Sequence, residues 1–411
     1  LPNISKKKVL FFVKSFPVLS QTFVINQIND LLDEGHDVNI LAITKGDMEL
    51  NSMPNIARHN LLSRTSFLVN DDNRYNNGQK KIKLVLSSIA NCLFAPRKWS
   101  LLTLGARLVV KRKLSLATNV FHVAAHDYQT IQADTVIAHF GNMGVLANHL
   151  MQSKIIVGRL LTVFHGYEIS EFEELAFWSG YYKKLGDAPG LLLPISNLWA
   201  KRLNELGIAN DKIRVLHMGV NVTRFKFEDR PLSNPIRILS VARATEKKGL
   251  TYALEAIEQC NIDVRYDIIG GGELEKQLIA QMTNYKSREK ITIHGPKPSE
   301  FVAEALTKTD IFLLPSVTDK HGDMEGIPVS LMEAMASGVI ALSTVHSGIP
   351  ELIEDKQTGF LVPERNATAI ANAIEFIAHQ QDLSVIKLSA LKHVTEQFNA
   401  KILTKDLSEL I

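Results

Sequence analysis

Short apolar runs alternate with longer amphipathic ones along most of this chain, and near Ile236 the alternation begins again. Val9 to Val13 reads as a strand. Val24, Ile28, Leu31 and Leu32 then share a helical face that stops at Gly35, and Val38 to Ile43 returns to strand. Thr135 to Ala138, Leu160 to Phe164, Leu191 to Ile195 and Ile213 to Leu216 are further strand candidates. After the restart, Ile236 to Val241, Tyr266 to Ile269, Ile291 to Ile293, Ile311 to Leu314 and Val339 to Leu342 follow, with Leu250, Ala253, Leu254 and Ile257 marking a helix. Such alternation implies parallel sheets covered by helices on both faces. The predicted fold class is α/β, with two Rossmann-like doubly wound parallel-sheet domains facing across a cleft. Sheets of this kind bind ligands beyond the carboxyl ends of their strands.

At 411 residues the chain exceeds what one core accommodates. The expected organisation is a first domain over 1–220 with a basic helical insertion near 73–126, and a linker over 221–235. A second domain follows over 236–385, then a terminal helix over 386–411 that packs back on the first. Cys92 and Cys260 are the only cysteines, which excludes a disulfide framework and points to a reducing compartment. No apolar run approaches the ~18 residues of a membrane span. Lys6-Lys-Lys8 before Val9 to Val13 imitates a leader peptide, but the apolar part ends at Lys14. The expected location is cytoplasmic.

The net charge of +3 hides an asymmetry. Between Asn73 and His126 there is no Asp or Glu, while Arg74, Lys80, Lys81, Lys83, Arg97, Lys98, Arg107, Lys111, Arg112 and Lys113 fall there. The rest of the chain is net acidic. Leu84, Val85, Ile89, Leu93, Phe94, Trp99, Leu101 and Leu102 lie between these charges. Basic amphipathic helices with aromatic residues suit an anionic membrane surface, so a peripheral position on the inner face of the cell membrane is expected. Each Lys or Arg there contributes about 1 kcal/mol. No nucleic-acid-binding motif accompanies the patch, and no nucleic-acid partner is expected.

Glu325-Gly-Ile-Pro-Val-Ser-Leu-Met-Glu333 places two carboxylates across the start of a helix. Pro328 suits the first helical position and Gly338 the stop. The amides of Gly326, Ile327 and Val329 near that start, with its partial positive charge, suit phosphate. The two carboxylates accept hydrogen bonds from hydroxyls. Phosphate and polyol together point to a nucleotide-sugar. Two more loops follow strands in the same way. One carries Arg243 and Lys248, a planar fork and a mobile point charge for a diphosphate. The other is Gly270-Gly271-Gly272, where backbone approaches a ligand closely. Its spacing is not the dinucleotide fingerprint, because Glu275 stands where a third spaced glycine belongs. His294, just after Ile291 to Ile293, joins this donor set.

In the first domain His165-Gly166 follows Leu160 to Phe164, and His139-Phe140-Gly141 follows Thr135 to Ala138. Ser20 is placed to cap the first helix. His139, Glu168 and Ser20 are the acceptor-side candidates. No Gly-x-Ser-x-Gly elbow, Walker loop or Asp-x-Asp occurs. His122 and His126 have metal-ligand spacing without the Glu of a zinc-protease helix, so no metal and no cofactor are expected.

Together these residues resemble family 4 of the retaining glycosyltransferases, which have the two-domain GT-B fold. Within it the chain is similar to bacterial exopolysaccharide transferases of the colanic acid and amylovoran type. Phe16-Pro17, Ala138-His-Phe-Gly141, Pro194-Ile-Ser196, Glu246-Lys-Lys-Gly249, Gly322-Asp-Met-Glu-Gly-Ile-Pro328 and His346-Ser-Gly-Ile-Pro-Glu351 carry the closer likeness. The resemblance implies catalytic roles for His165, Glu325, Arg243 and Lys248, and ribose binding by Glu333. It implies metal-independent transfer, with retained configuration, from a nucleotide diphosphate sugar with uridine as the expected base. The expected acceptor is an oligosaccharide on a polyprenyl diphosphate. Two departures stand out. Pro17-Val-Leu-Ser20 replaces a glycine pair common in the first loop, and Glu168 replaces a common Asp. The alternatives are a nucleotide-sugar epimerase or phosphorylase on the same fold, or a non-catalytic nucleotide-sugar-binding subunit of a polysaccharide assembly.

Overall fold

The computed structural model describes residues 6–18, 21–46, 54–69, 75 and 77–411. Twelve strands form two six-stranded sheets. The first sheet comprises β1 (Lys8–Phe16), β2 (Asp37–Lys45), β3 (Thr65–Phe67), β4 (Ile131–His139), β5 (Ile156–Phe164) and β6 (Gly190–Pro194). The second comprises β7 (Ile236–Val241), β8 (Val264–Ile269), β9 (Ile291–Ile293), β10 (Ile311–Leu314), β11 (Ile340–Thr344) and β12 (Phe360–Val362).

Every pairing is parallel. The order in the first sheet is β3-β2-β1-β4-β5-β6, and the second repeats it as β9-β8-β7-β10-β11-β12. This is the Rossmann order, in which the winding reverses between the first and fourth strands and opens a crevice at their carboxyl ends. The strands are buried on both faces, as in β10, whose four residues are all inaccessible. That burial explains why these segments read as unbroken apolar runs.

Several details differ from the sequence reading. Ile213 to Leu216 is not a strand. It touches the edge of β6 through one bridge, Leu192 to Ile213, with the Arg214 and Leu216 amides donating to Leu192 and Pro194 carbonyls. The three-residue strands β3 and β12 were not among the sequence expectations, whereas β9, equally short, was; β3 buries none of its residues and so leaves no apolar run. Pro328 is the N-cap of the helix Val329–Ala336 rather than its first residue. Gly338 does end that helix, at φ +80°. Ser20 lies outside the described residues, and Gln21 is the N-cap of the helix Thr22–Asp33.

The chain end consists of two helices. Ser384–Gln397 packs on Val329–Ala336 in the second lobe. Ala400–Leu410 returns to the first lobe, where Leu407 joins the core. Thr135 Oγ1 donates to the Ile411 carbonyl at 3.1 Å and Arg159 to the Leu410 carbonyl at 2.8 Å. The two crossings are tied to each other. The Val220 amide donates to the Phe398 carbonyl at 2.8 Å, and the Ala400 amide to the Val220 carbonyl at 3.0 Å.

Candidate functional site

The loops that follow β7, β8 and β10 lie together. Ala244 donates its amide to the Gly271 carbonyl at 3.0 Å, which lays the glycine loop against the Arg243 loop. Gly270 has φ +135°, and a Cβ there would sit 1.9 Å from the Ala242 carbonyl oxygen. Gly270 is thus required by the neighbouring strand end itself, in addition to any ligand. His294 adjoins this loop: Gly270 donates to the Gly295 carbonyl, and His294 Nε2 lies 2.5 Å from Asp267 Oδ1. Arg243 is exposed and forms no ion pair with any described residue.

Lys248 Nζ lies 2.8 Å from Glu325 Oε2, and Lys247 Nζ lies 3.6 Å from Glu325 Oε1 and 2.9 Å from Asp323. Burial alone raises the Glu325 carboxyl, but Lys248 and Lys247 outweigh it and bring its pKa to about 2. Glu325 is therefore a carboxylate at every physiological pH. Its backbone is fixed as well. The Glu325 amide donates to His346 Nε2 at 3.0 Å, and Ser347 Oγ donates to the Glu325 carbonyl. His346 Nδ1 in turn donates to Glu364 Oε1 at 2.6 Å. Even so, Glu325 Oε1, Asp323 Oδ1, Thr245 Oγ1 and Ser316 Oγ are buried without a hydrogen-bond partner. All four stand on the loops after β7 and β10. Orphan polar atoms of this kind call for water or a ligand, and a hydroxyl donor is what the two carboxylate oxygens can take.

Glu333 occupies the second turn of the helix Val329–Ala336, half-buried. Burial pushes its carboxyl up to about 7, with Arg224 acting in the opposite direction. The N-cap Pro328 precedes helix amides that have no partner within the helix.

The first lobe meets this arrangement through β5. A Cβ on Gly326 would lie 2.9 Å from the His165 carbonyl oxygen, and one on Gly166 would lie 3.3 Å from the Met324 carbonyl oxygen. Met324 also donates its amide to Ser170 Oγ at 3.1 Å. The His-Gly turn is thereby seated on the Glu325 segment across the cleft. The His165 ring is enclosed by Phe23 and Phe140, with centroids at 4.8 and 4.6 Å. Phe140 holds φ +76°, a costly conformation for a non-glycine residue. Burial, with His139 as neighbour, places the His165 pKa well below its ordinary value, and the ring is neutral.

Two acceptor-side expectations are corrected. Glu168 is fully buried, and its carboxylate accepts the amides of His165 (2.7 Å), Gly166 (3.1 Å) and Gly141 (3.4 Å). It splints the two loops that carry the histidines and has no surface for an acceptor. His139 is likewise fully buried, its Nδ1 2.9 Å from His165 Nε2 and its Nε2 3.0 Å from Gln27 Oε1. Sequence reasoning gave no site role to Lys247, Asp323 or His346, which it met only within motifs, and did not meet Glu364 or Gln27 at all. The adjacent Lys247-Lys248 pair facing Asp323-x-Glu325 offered a signal. Gln27 offered none, because its partner is 112 residues away.

In the basic stretch, Lys98 is buried and bonded to the His126 carbonyl and Asp127. Lys113 pairs with Glu174, and Arg107 donates to Tyr181. Lys98 and Lys113 thus serve the fold, whereas Arg107 remains exposed. Arg74 lies outside the described residues. Lys80, Lys81, Lys83, Arg97, Lys111 and Arg112 are exposed. Among the described residues no group of three or more His, Cys, Asp or Glu is arranged to hold a metal ion, and no helix is long and apolar enough to cross a membrane.

Comparison with known proteins gives the following. The family model Glycosyl transferases group 1 matches residues 222–389. The Escherichia coli K12 protein WcaL, named for colanic acid biosynthesis, is 39% identical over 98% of this chain and 99% of its own length. The amylovoran biosynthesis glycosyltransferase AmsK of Erwinia amylovora is also 39% identical, again over 98% of this chain and 99% of its own. Among solved structures, Anabaena Alr3699/HepE in complex with UDP superposes with a TM-score of 0.70 at 16% identity, covering 98% of both chains.

Proposed function

The chain belongs to the colanic acid and amylovoran type of exopolysaccharide glycosyltransferase with the GT-B fold, and we propose that it is a retaining, metal-independent transferase acting on a lipid-linked oligosaccharide. The donor in this reading is a nucleotide diphosphate sugar, with uridine as the base. HepE, a structural neighbour, binds UDP.

One observation carries the proposal. Glu325 is held ionised by Lys248 and Lys247, keeps a buried oxygen that makes no hydrogen bond and has Lys247 only at 3.6 Å, and is seated against the His165-Gly166 turn of the opposite lobe. A sugar hydroxyl satisfies that oxygen. Glu333 takes the ribose hydroxyls. Arg243, Lys248 and the amides at the start of Val329–Ala336 face the diphosphate.

In the transfer, the bond between the anomeric carbon and the phosphate oxygen breaks, and its electron pair leaves with the diphosphate. The acceptor oxygen forms the new bond on the same face. Its proton passes to the departing phosphate oxygen. Cationic groups fixed where negative charge grows supply electrostatic stabilisation, usually the largest catalytic contribution. Neutral His165 orients the sugar.

The lipid-linked acceptor is supported by the helix Gly78–Phe94. Ile82, Leu86, Ile89 and Leu93 recur on one face at helical spacing, and all are exposed. Phe94 at its end is 90% exposed. The same basic stretch exposes Lys80, Lys83, Arg97, Lys111 and Arg112, and exposed cations with an apolar stripe suit an anionic bilayer.

The test begins with thermal shifts against UDP and GDP. UDP is expected to raise the unfolding temperature with the logarithm of its concentration, in EDTA as well as without it. Nuclear magnetic resonance of the product then reads the anomeric configuration. Binding of neither nucleotide, or an inverted product, overturns the reading.

A further inference from the structure

At the carboxyl ends of β1 and β2 the first lobe contains a cavity of about 700 Å³, apart from the loops that face the donor. Lys14 and Lys45 enter it from the two strands, and Lys81 from the helix Gly78–Phe94. Gln21, Thr118 and Asn119 add neutral polar groups. No Asp or Glu lines it among the described residues. None of the three lysines forms an ion pair with any described residue, although 19 such pairs occur elsewhere in the structure. Three like charges on one cavity repel one another, so the cavity favours an anion.

Its position gives that anion a role. Gln21 lines the cavity, and Phe23, two residues further on, packs on the His165 ring. Lys81 shares a helical face with Leu84, Ser88 and Cys92, which are buried, whereas Ile82, Leu86, Ile89 and Leu93 face outward. One helix therefore presents its apolar stripe to solvent and a cation to the cavity.

We propose that this cavity binds an anionic group of the acceptor glycan, a phosphate or a carboxylate, and so holds the acceptor with its reacting hydroxyl toward His165. The assignment rests on the glycosyltransferase reading above. Two sources supply this chemistry: the diphosphate that joins a glycan to its lipid, and an acidic sugar within the glycan. Lys14, Lys45 and Lys81 select for either through charge.

The experiment uses the whole chain saturated with UDP, so that the donor diphosphate site is filled. It is titrated calorimetrically with inorganic pyrophosphate and, separately, with glucuronate. At least one anion is expected to bind beside UDP. Its affinity is expected to fall at least tenfold in the Lys14→Gln, Lys45→Gln double variant and further when Lys81→Gln is added, while UDP affinity is unchanged. These lysines are exposed and form no ion pair with any described residue, and an unaltered melting temperature verifies that the variants fold. Preference for pyrophosphate identifies the lipid diphosphate as the source, and preference for glucuronate an acidic sugar. Binding of neither anion beside bound UDP, or binding indifferent to the substitutions, overturns the proposal. Failure of UDP itself to bind instead overturns the glycosyltransferase reading on which it rests.

Discussion

His139 fixes the tautomer of His165. Gln27 Oε1 only accepts, so His139 Nε2 carries the proton of that 3.0 Å contact, and His139 Nδ1 is left to accept from His165 Nε2 at 2.9 Å. Burial places the His139 pKa at about 3, and His165 also lies far below its ordinary value, so both rings are neutral. Nδ1 of His165 is then an acceptor for a sugar hydroxyl. Gln27 thus positions His165 through His139, and in the proposed function that chain ends at the donor sugar.

Replacing Gln27 with Leu removes the anchor of that chain. The expected loss is about tenfold in kcat, the worth of one hydrogen bond of ~1.4 kcal/mol. Gln27→Glu retains an acceptor at the same place and is expected to keep more activity than Gln27→Leu. The pH profile of kcat in the parent protein should show no acid limb near 6.5, since neither histidine titrates there. The stability consequence has the opposite direction from an ion-paired histidine. The unfolded rings bind protons below 6.5 and the folded ones do not, so stability falls as pH drops from 6.5 toward 3.

Glu325→Gln keeps the shape and discards the charge. Transfer is expected to fall on the order of a hundredfold, because the neutral amide no longer balances Lys247 and Lys248 around the donor. The folded pKa of about 2 lies below the unfolded 4.5. The charge network therefore contributes fully above pH 4.5 and is lost as pH falls toward 2, at most about 3 kcal/mol. Urea titrations at pH 6 and pH 3 measure this. Between the two, the parent should lose about 2 kcal/mol more than Glu325→Gln does, the remainder of the increment being lost only below pH 3.

Glu333 behaves in the reverse sense. Burial lifts its carboxyl to about 7 against 4.5 unfolded, so its ionisation destabilises the fold as pH rises from 4.5 to 7. Glu333→Gln is expected to raise the melting temperature at pH 8 by a few degrees and to change it much less at pH 4, where the parent carboxyl is protonated in the folded state and largely so in the unfolded one. Donor affinity should drop, since an amide replaces a carboxylate at the ribose hydroxyls. Scanning calorimetry at the two pH values, with UDP titrations beside it, separates the effects. A variant less stable at pH 8 would contradict this account.

Both sheets were legible in the sequence because their strands are buried on two faces, which makes each a continuous apolar run. Thr65–Phe67 and Phe360–Val362 were not, although the equally short Ile291–Ile293 was; Thr65–Phe67 buries no residue and so leaves no apolar run to read. The donor loops were legible because Arg243, Lys248, Gly270 and Glu325 each follow a strand end, and strand ends in such sheets converge. What stayed hidden depends on contacts distant in sequence. Glu168 follows His165 by three positions and reads as a companion in the cleft. Only the fold reveals that three backbone amides turn it inward, which fixes it beneath the loops. Lys98 reads as one more surface charge until its burial against Asp127 is seen.

The helix Gly78–Phe94 leaves Ile82 and Leu93 about two-thirds exposed, beside Phe94 at 90%. Nothing in the described chain covers this face, and its neighbours are cationic. If it rests on an anionic bilayer, apolar burial and charge attraction act together, and each half is separately removable. Leu86→Asp with Leu93→Asp is expected to abolish flotation with vesicles of phosphatidylglycerol, while UDP binding persists because the donor lobe is untouched. Lys83→Gln with Lys111→Gln and Arg112→Gln should weaken flotation at low salt, about 1 kcal/mol for each charge removed. Raising the salt should erase most of the difference between this variant and the parent, since surface charges are screened beyond ~10 Å at 0.1 M. A parent protein that fails to float at low salt would remove the membrane from this account, yet leave the donor chemistry intact, because the two reside on different lobes.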